Sequence, residues 1–435
     1  MDGMKLILGL GISGLSCANY FDKKDVQYRI FDSRNISDID QLFISSLDKS
    51  KLYLQSFNNN ILDNIDEVVI SPGFDKNHEI FKQIILKSLP QVTDIDIFKR
   101  ICKRPIISIT GTNGKTTIVS MLEHIMLSSG VKTIACGNNG IPPLDINSDD
   151  YDYIILELSS YQLEYMCNYE SYISMLANID HDHLDRHDTI GNYLDIKLKI
   201  FKSCDYSLVN MTLSNSLKSN KNKIIYGLSD NQVIINNDIE EDISYDSLTL
   251  YYKNSINLKY KGIHNLENIL GVCSIATILK ITISKCLQAL KSYNHLPHRI
   301  ELIKCSDGIS WYNDSKSTNT ASTKAALECI KNNIILIIGG AKKDMNYKDL
   351  SNLINKKVKL LVFIGANRNY IKKQLDVKTK MIDAESIDDA VIICKEHALE
   401  NNNVLLSPAS ASFDMFRNFE ERGDAFKKAV IEYVK

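Results

Sequence analysis

Residues Ile106-Ile107-Ser108-Ile109-Thr110-Gly111-Thr112-Asn113-Gly114-Lys115-Thr116-Thr117 decide how this chain is read. The stretch opens as an apolar strand and runs into a glycine-lysine-threonine turn. Ile118, Met121, Leu122, Ile125 and Met126 then recur on one face of a helix. Such a turn aims successive backbone N–H groups and a helix N-terminus at one point, which suits phosphate oxygens. Gly111, Thr112, Asn113, Gly114, Lys115, Thr116 and Thr117 therefore form the expected nucleotide loop, for ATP or GTP. Lys115 is spaced to reach the β- and γ-phosphates, and the Thr116 hydroxyl to face Mg²⁺. The usual loop carries a glycine where this chain has Ile109, and Gly111 stands close before Gly114, so the loop is a shortened variant.

Upstream, the strand Lys5–Leu8 runs into Gly9-Leu10-Gly11-Ile12-Ser13-Gly14, then a helix, then a strand Tyr28–Phe31 ending at Asp32. Strand, G-x-G-x-x-G, helix, strand and acid approach the dinucleotide-binding fingerprint. The turn fits NAD or FAD, or the diphosphate of another nucleotide such as a UDP-sugar; glycines serving only a tight turn are the bland alternative. A dehydrogenase joined to an ATP site would be an odd pairing. A further strand, Glu67–Ile70, ends in Ser71-Pro72-Gly73, and Leu89-Pro90-Gln91 reads as a link. Residues 1–91 form the expected first domain.

Downstream of the phosphate loop, a strand Tyr153–Leu156 ends in Glu157, a strand Ile173–Leu176 ends near Asn178, and a helix covers about Asn192–Lys202. Residues 221–260 read as meandering strands. Leu266, Ile269, Leu270 and Cys273 mark a helix after Gly262, and Leu296-Pro297 closes this domain, 92–296. In residues 297–435, strands Ile334–Ile338, Leu360–Ile364 and Val404–Leu406 alternate with helical stretches. The expected fold class is α/β in three domains: a Rossmann-like N-terminal domain, a central P-loop ATPase domain with a mostly parallel sheet, and a C-terminal Rossmann-like α/β domain. Ligands of open α/β sheets sit at the carboxyl ends of strands, where these segments carry Gly, Ser, Asp or Glu.

The bulk properties agree. At roughly 150 residues per domain, 435 residues suggest about three. A net charge of −2 gives no electrostatic case for nucleic acid or an anionic membrane. The ten cysteines include no C-x-x-C pair, which argues against a zinc ribbon or disulfide scaffold and for a reducing, cytoplasmic setting. No apolar run approaches the ~18 residues of a membrane span. Met4–Leu8 leads straight into a glycine turn rather than a signal-peptide cleavage site.

Several other residues suit chemistry. Glu157, at a strand end beside the phosphate loop, fits Mg²⁺ binding; a helix cap or surface acid is the alternative. His181-Asp182-His183-Leu184-Asp185-Arg186-His187 fits an active-site loop, a zinc site or a solvated turn, although H-x-H-x-x-x-H without a thiolate is a weak zinc signal. His298-Arg299 fits a phosphate clamp or an ordinary interdomain ion pair. Asp314-Ser315-Lys316-Ser317-Thr318-Asn319 is a dense polar run after Trp311-Tyr312, functional or merely a loop.

Taken together, Gly111–Thr117, Glu157-Leu-Ser-Ser-Tyr-Gln-Leu-Glu164, Asn178-Ile-Asp-His-Asp-His183, Gly262-Ile-His-Asn265-Leu-Glu-Asn268, Leu296-Pro-His-Arg299 and Asp314-Ser-Lys-Ser-Thr-Asn319 resemble the Mur ligases over essentially the whole chain. These are ATP-dependent amide-forming enzymes of peptidoglycan synthesis. Within the family the chain is most similar to the D-glutamate-adding member. Its glycine-fingerprint first domain and the run Leu406 to Gly423, with Ser412-Phe413 and Phe419, carry that likeness. The Asp-Asn-Pro-Arg motif of the diamino-acid-adding member is absent.

The resemblance implies that ATP phosphorylates the carboxylate of UDP-N-acetylmuramoyl-L-alanine. The amine of D-glutamate then captures the acyl phosphate. It implies catalytic roles for Lys115, His183 and Lys197. It assigns Thr116 and Glu157 to one Mg²⁺ and His183 to a second, which a CO₂-carbamylated Lys197 joins; Lys199 is the lesser candidate. Asn268, Arg299 and Asp314 join the ATP-binding residues. Ser13, Asp32, Ser33, Arg34, Gly73 and Asn138 are assigned to the UDP substrate. Thr318, Lys343, Ser412, Phe413 and Phe419 are assigned to D-glutamate. After Gly339-Gly340 the family has Asp where this chain has Ala341, which leaves Lys342 as an alternative to Lys343. A monomer acting on small molecules is expected. The folylpolyglutamate synthetases share the later domains but lack the first, so residues 1–91 argue against them.

Overall fold

The computed structural model describes residues 3–167, 169–217, 222–229, 232–245, 249–253, 256–259, 262–341 and 345–434. The chain folds into two compact units. One comprises Met1–Ile179, His187–Ser244 and Glu267–Lys291, the other Asp180–Arg186, Tyr245–Leu266 and Ser292–Lys435.

The first unit holds two sheets. The N-terminal sheet has the order Leu52–Leu54, Tyr28–Asp32, Met4–Leu8, Ile65–Ile70, Gln91–Val92, all parallel. Its central strands bury Leu6, Ile7, Leu8, Val68 and Ile70 almost completely, as a parallel sheet covered on both faces must. Gln91–Val92, in the segment read as a link, is its fifth strand. The order reverses at Met4–Leu8, so the glycine turn leaves the sheet at its switch point, where doubly wound sheets take their ligands. Gly14 sits in the first turn of helix Ile12–Lys23, where an added Cβ would lie 2.1 Å from Gly9 O. The helix approaches the strand end this closely only because the side chain is missing.

The larger sheet runs Asp238–Ile239, Gln232–Ile235, Lys223–Ser229, Cys204–Asn210, Ser171–Leu176, Ile106–Thr110, Tyr153–Glu157, Thr133–Gly137. The first two strands are an antiparallel edge and the rest are parallel. The phosphate-loop strand is thus central, with the Glu157 strand on one side and the Ser171–Leu176 strand on the other. Residues read as meandering strands supply Lys223–Ser229 as a parallel member and its antiparallel edge here; in the second unit they supply an antiparallel pair, Thr249–Tyr252 with Ile256–Lys259. Leu10 of the glycine turn and Cys17 and Phe21 of helix Ile12–Lys23 share one core with Ile97, Phe98, Leu144 and Ile154.

In the second unit the sheet order is Glu301–Ser306, Ile309–Asn313, Asn403–Leu406, Ile334–Gly339, Val358–Ile364, Lys380–Asp383. The first pair is antiparallel and all others are parallel. Along Ile334–Gly339 the alternate residues Leu336 and Ile338 enter one core, and Ile335 and Ile337 enter the other with Trp311 and Phe426. Among the described residues no helix is long and apolar enough to cross a membrane.

Replacing Gly14 by Ala forces the helix off the strand end. Such overpacking costs about 1–3 kcal/mol, so the urea midpoint should fall. An unchanged midpoint would show that the close approach is not needed.

Candidate active site

The phosphate loop is built as its sequence requires. Gly114, at φ 82°, is the N-cap of helix Lys115–Ser128. A side chain there would be strained, and its Cβ would lie 2.7 Å from Asn268 Oδ1. Asn268 therefore packs directly on the loop. Lys115 Nζ donates to Gly111 O (2.8 Å) and Thr112 O (2.9 Å), curling back over the loop. Thr116 is half-buried one residue on, and Thr117 is buried.

Asn178, which the sequence offered only as part of a motif, clamps this loop. Its Oδ1 accepts from Asn113 N (2.9 Å), its Nδ2 donates to Asn113 O (2.9 Å), and its own carbonyl accepts from Thr112 N (3.1 Å). Its place just past the strand Ser171–Leu176 was the one signal available.

Lys197 comes to the same loop. It lies on helix Ile190–Leu198, is 1% exposed, and donates to Gly111 O (3.0 Å) and Thr110 Oγ1 (3.2 Å). Lys199 instead donates to Glu164 O from an exposed position. The two lysines thus differ in burial and in hydrogen-bond partner. Tyr193, one turn earlier, brings its hydroxyl to Thr112 Oγ1 (3.3 Å).

Glu157 ends the neighbouring strand and is 2% exposed. Its Oε1 accepts from Asn138 Nδ2 at 3.0 Å, while its Oε2 is buried with no hydrogen-bond partner among the described residues. An unsatisfied carboxylate oxygen out of water is costly. A divalent cation, which takes hard oxygen ligands, fits it.

The histidine-aspartate run is split between the units. His187 is buried, sharing a 3.0 Å hydrogen bond with Ser160 Oγ and stacking on Tyr193. In the second unit His183 has a left-handed backbone (φ 54°), and its Nε2 lies 3.6 Å from Asp182 Oδ2. Asp182 also accepts from Asn319 Nδ2 (2.9 Å), which ties this loop to the polar run 314–319. His181 is exposed. Among the described residues no group of three or more His, Cys, Asp or Glu side chains is placed to hold a metal ion.

At the glycine turn, Asp32 Oδ2 accepts from Leu10 N (2.7 Å), and Arg34 grips both carboxylate oxygens while donating to Leu10 O. Burial alone would raise the Asp32 pKa. The Arg34 and Leu10 hydrogen bonds outweigh it and hold the carboxyl below its ordinary value. In NAD-binding folds the corresponding acid takes ribose hydroxyls. Here both its oxygens are already engaged, and the half-exposed Arg34 guanidinium faces solvent instead. Ser33 and Gly73 are exposed, Ser13 is half-buried, and a Cβ at Gly73 would touch nothing.

The remaining expected residues lie in the second unit. Asp314 is buried, accepting from Ile300 N, Ser317 Oγ and Ser407 Oγ, and desolvation pushes its pKa up to about 6 despite those bonds and the nearby Arg299. Thr318 and the buried Ser412 follow the adjacent strands Ile309–Asn313 and Asn403–Leu406. Phe413 is 75% exposed, and Phe419, which opens helix Phe419–Tyr433, lies under Lys316 Nζ at 3.7 Å. Lys343 and its alternative Lys342 fall outside the described residues.

Comparison with known proteins agrees with this layout. Residues 4–93 match the Mur ligase MurD-like N-terminal domain, 109–276 the Mur ligase middle domain, and 298–410 the Mur ligase glutamate ligase domain. The MurF ligase of Thermotoga maritima, solved in complex with ADP, shares the fold (TM-score 0.61, 14% identity, covering 98% of this chain and 95% of that one). The UDP-N-acetylmuramoylalanine–D-glutamate ligase of Coxiella burnetii is 32% identical, with 99% of each chain covered. The protein of that name from Buchnera aphidicola is 36% identical over 98% of this chain and 97% of its own. With such identities along almost its entire length, this chain belongs to the Mur ligase family.

Proposed function

We propose that this protein joins D-glutamate to UDP-N-acetylmuramoyl-L-alanine, consuming ATP and releasing ADP and phosphate, in three domains with boundaries near residues 91 and 296. The observation that carries the proposal is the clamped phosphate loop with Lys115 at its helix start, flanked by the buried, unsatisfied Glu157 oxygen.

The chemistry explains why such a site is needed. An amine cannot displace oxide from a carboxylate; phosphorylation turns that oxygen into a leaving group. The loop N–H groups and Lys115 hold the triphosphate and favour the charge that spreads over the transferring phosphoryl group. Asn268, Arg299 and Asp314 orient the rest of the nucleotide. Asn138 steers the substrate beside Glu157. Thr116 and Glu157 would hold one magnesium ion, and the family resemblance assigns His183 and Lys197 to magnesium as well; the metal would supply positive charge that lets two anions approach. Lys197 takes part as a carbamate, formed when its neutral amine adds CO₂ and loses a proton; its burial at Gly111 supports it over Lys199. Arg34 with Asp32, Ser13, Ser33 and Gly73 takes the uridine diphosphate, and Thr318, Lys343, Ser412, Phe413 and Phe419 take D-glutamate.

Phosphate release should require ATP, the UDP-muramoyl-alanine and D-glutamate together. Release at the same rate without the UDP substrate, or with L-glutamate and a folate, would refute the proposal. Lys197→Ala should lose roughly a hundredfold in rate, as loss of a group organising a metal site does, and acetate should restore part of it. Full activity of the variant without additive would remove the carbamate role.

A further inference from the structure

Arg422, in the first turn of helix Phe419–Tyr433, has no part in the assignments above, yet it is 1% exposed. Its Nε donates to Ser315 Oγ (2.9 Å) and its Nη2 to Ser315 O (2.8 Å). Its Nη1 donates to Ser410 O (3.0 Å) and Ala411 O (3.3 Å). An arginine buried so deeply normally faces a carboxylate. Among the described residues every acceptor here is a neutral carbonyl or hydroxyl oxygen. Such partners solvate the charge, and the nearby carboxylates of Asp414 and Asp314 offset part of it without bonding to it. Desolvation draws the guanidinium pKa down to about 10, so the group remains a cation at neutral pH.

The acceptors belong to two loops that follow adjacent strands, one bearing Thr318 and the other Ser412 and Phe413. A third loop is keyed to them, because Ala411 O also accepts from Ala341 N (2.9 Å). A Cβ on Gly340 would come within 2.3 Å of Ala411 O and 3.2 Å of Arg422 Nη1. Glycine at 340 is what allows the loops to close around the guanidinium.

We infer that Arg422 is a positioning residue for the amino-acid substrate, its fork fixing these three loops in the arrangement that receives it. The inference rests on the D-glutamate proposal above. The planar fork holds several carbonyls at once, which an ammonium cannot.

Steady-state kinetics of the full-length protein test it. Arg422→Met keeps the stem and drops the charge; Arg422→Lys keeps the charge and drops the fork. In the Met variant KM for D-glutamate should rise about tenfold or more, the scale of losing hydrogen bonds to a charged group. The Lys variant should show a smaller rise in that same KM. KM for ATP and for the UDP substrate should stay within about twofold in both. Guanidinium chloride should recover part of the loss in Arg422→Ala. A folded Met variant with unchanged KM for D-glutamate, or one in which all three KM values rise together, would overturn the inference. If the Met variant does not fold, the same split in the Lys variant decides. A wild-type protein silent toward D-glutamate refutes the proposed function, and this inference with it; a working wild type with unaffected variants refutes only the role of Arg422.

Discussion

The carboxamide of Asn178 holds the phosphate loop in place. Gly111 to Gly114 have little internal structure, and a loop that must wrap a polyanion cannot be stabilised by packing. Asn178 instead takes both backbone polar groups of Asn113 in a two-bond clamp. That clamp exists only because the strands are in register. Thr110 pairs with Leu176 on one side and Ile109 with Glu157 on the other. A slip of one residue would turn Glu157 to the opposite face and detach Asn178 from the loop. The parallel ladder is therefore the constraint on which the loop, the orphaned carboxylate and the reach of Lys197 all depend.

A second theme is how positive charge is held. The chain as a whole is nearly neutral, at −2, so its net charge gives no general attraction for its proposed anionic substrates. The cations are placed singly. Lys115 donates to Gly111 O and Thr112 O, and Arg422 donates to carbonyls of Ser315, Ser410 and Ala411. A carbonyl orients a cation without neutralising it. Asp32 and Arg34 differ: there the carboxylate fixes the guanidinium against the glycine turn, and half of the arginine side chain stays open.

Much of this was legible in the sequence because the signals are local. Apolar runs gave the buried parallel strands, and glycine spacing gave both strand-to-helix turns. The hairpin of Glu301–Ser306 and Ile309–Asn313 escaped, because its outer strand is only partly buried and lacks a continuous apolar run. Its turn, Asp307-Gly308, with both residues at positive φ, was the available clue. The polar clamps were beyond reach for a different reason. Asn178 lies 65 residues from Asn113, and Arg422 lies 107 from Ser315. No periodicity marks such partners; only the folded sheet brings them together. The motif already favours Lys197 over Lys199; their different depths of burial are seen only in the folded chain.

The central claim is that a carboxylate is activated by accepting the terminal phosphoryl group of ATP. Transfer of heavy oxygen tests it most directly. With UDP-N-acetylmuramoyl-L-alanine labelled in its carboxylate and unlabelled ATP and D-glutamate, each released phosphate should carry one labelled oxygen atom from the substrate. Phosphate released in step with amide formation but free of label would contradict the account.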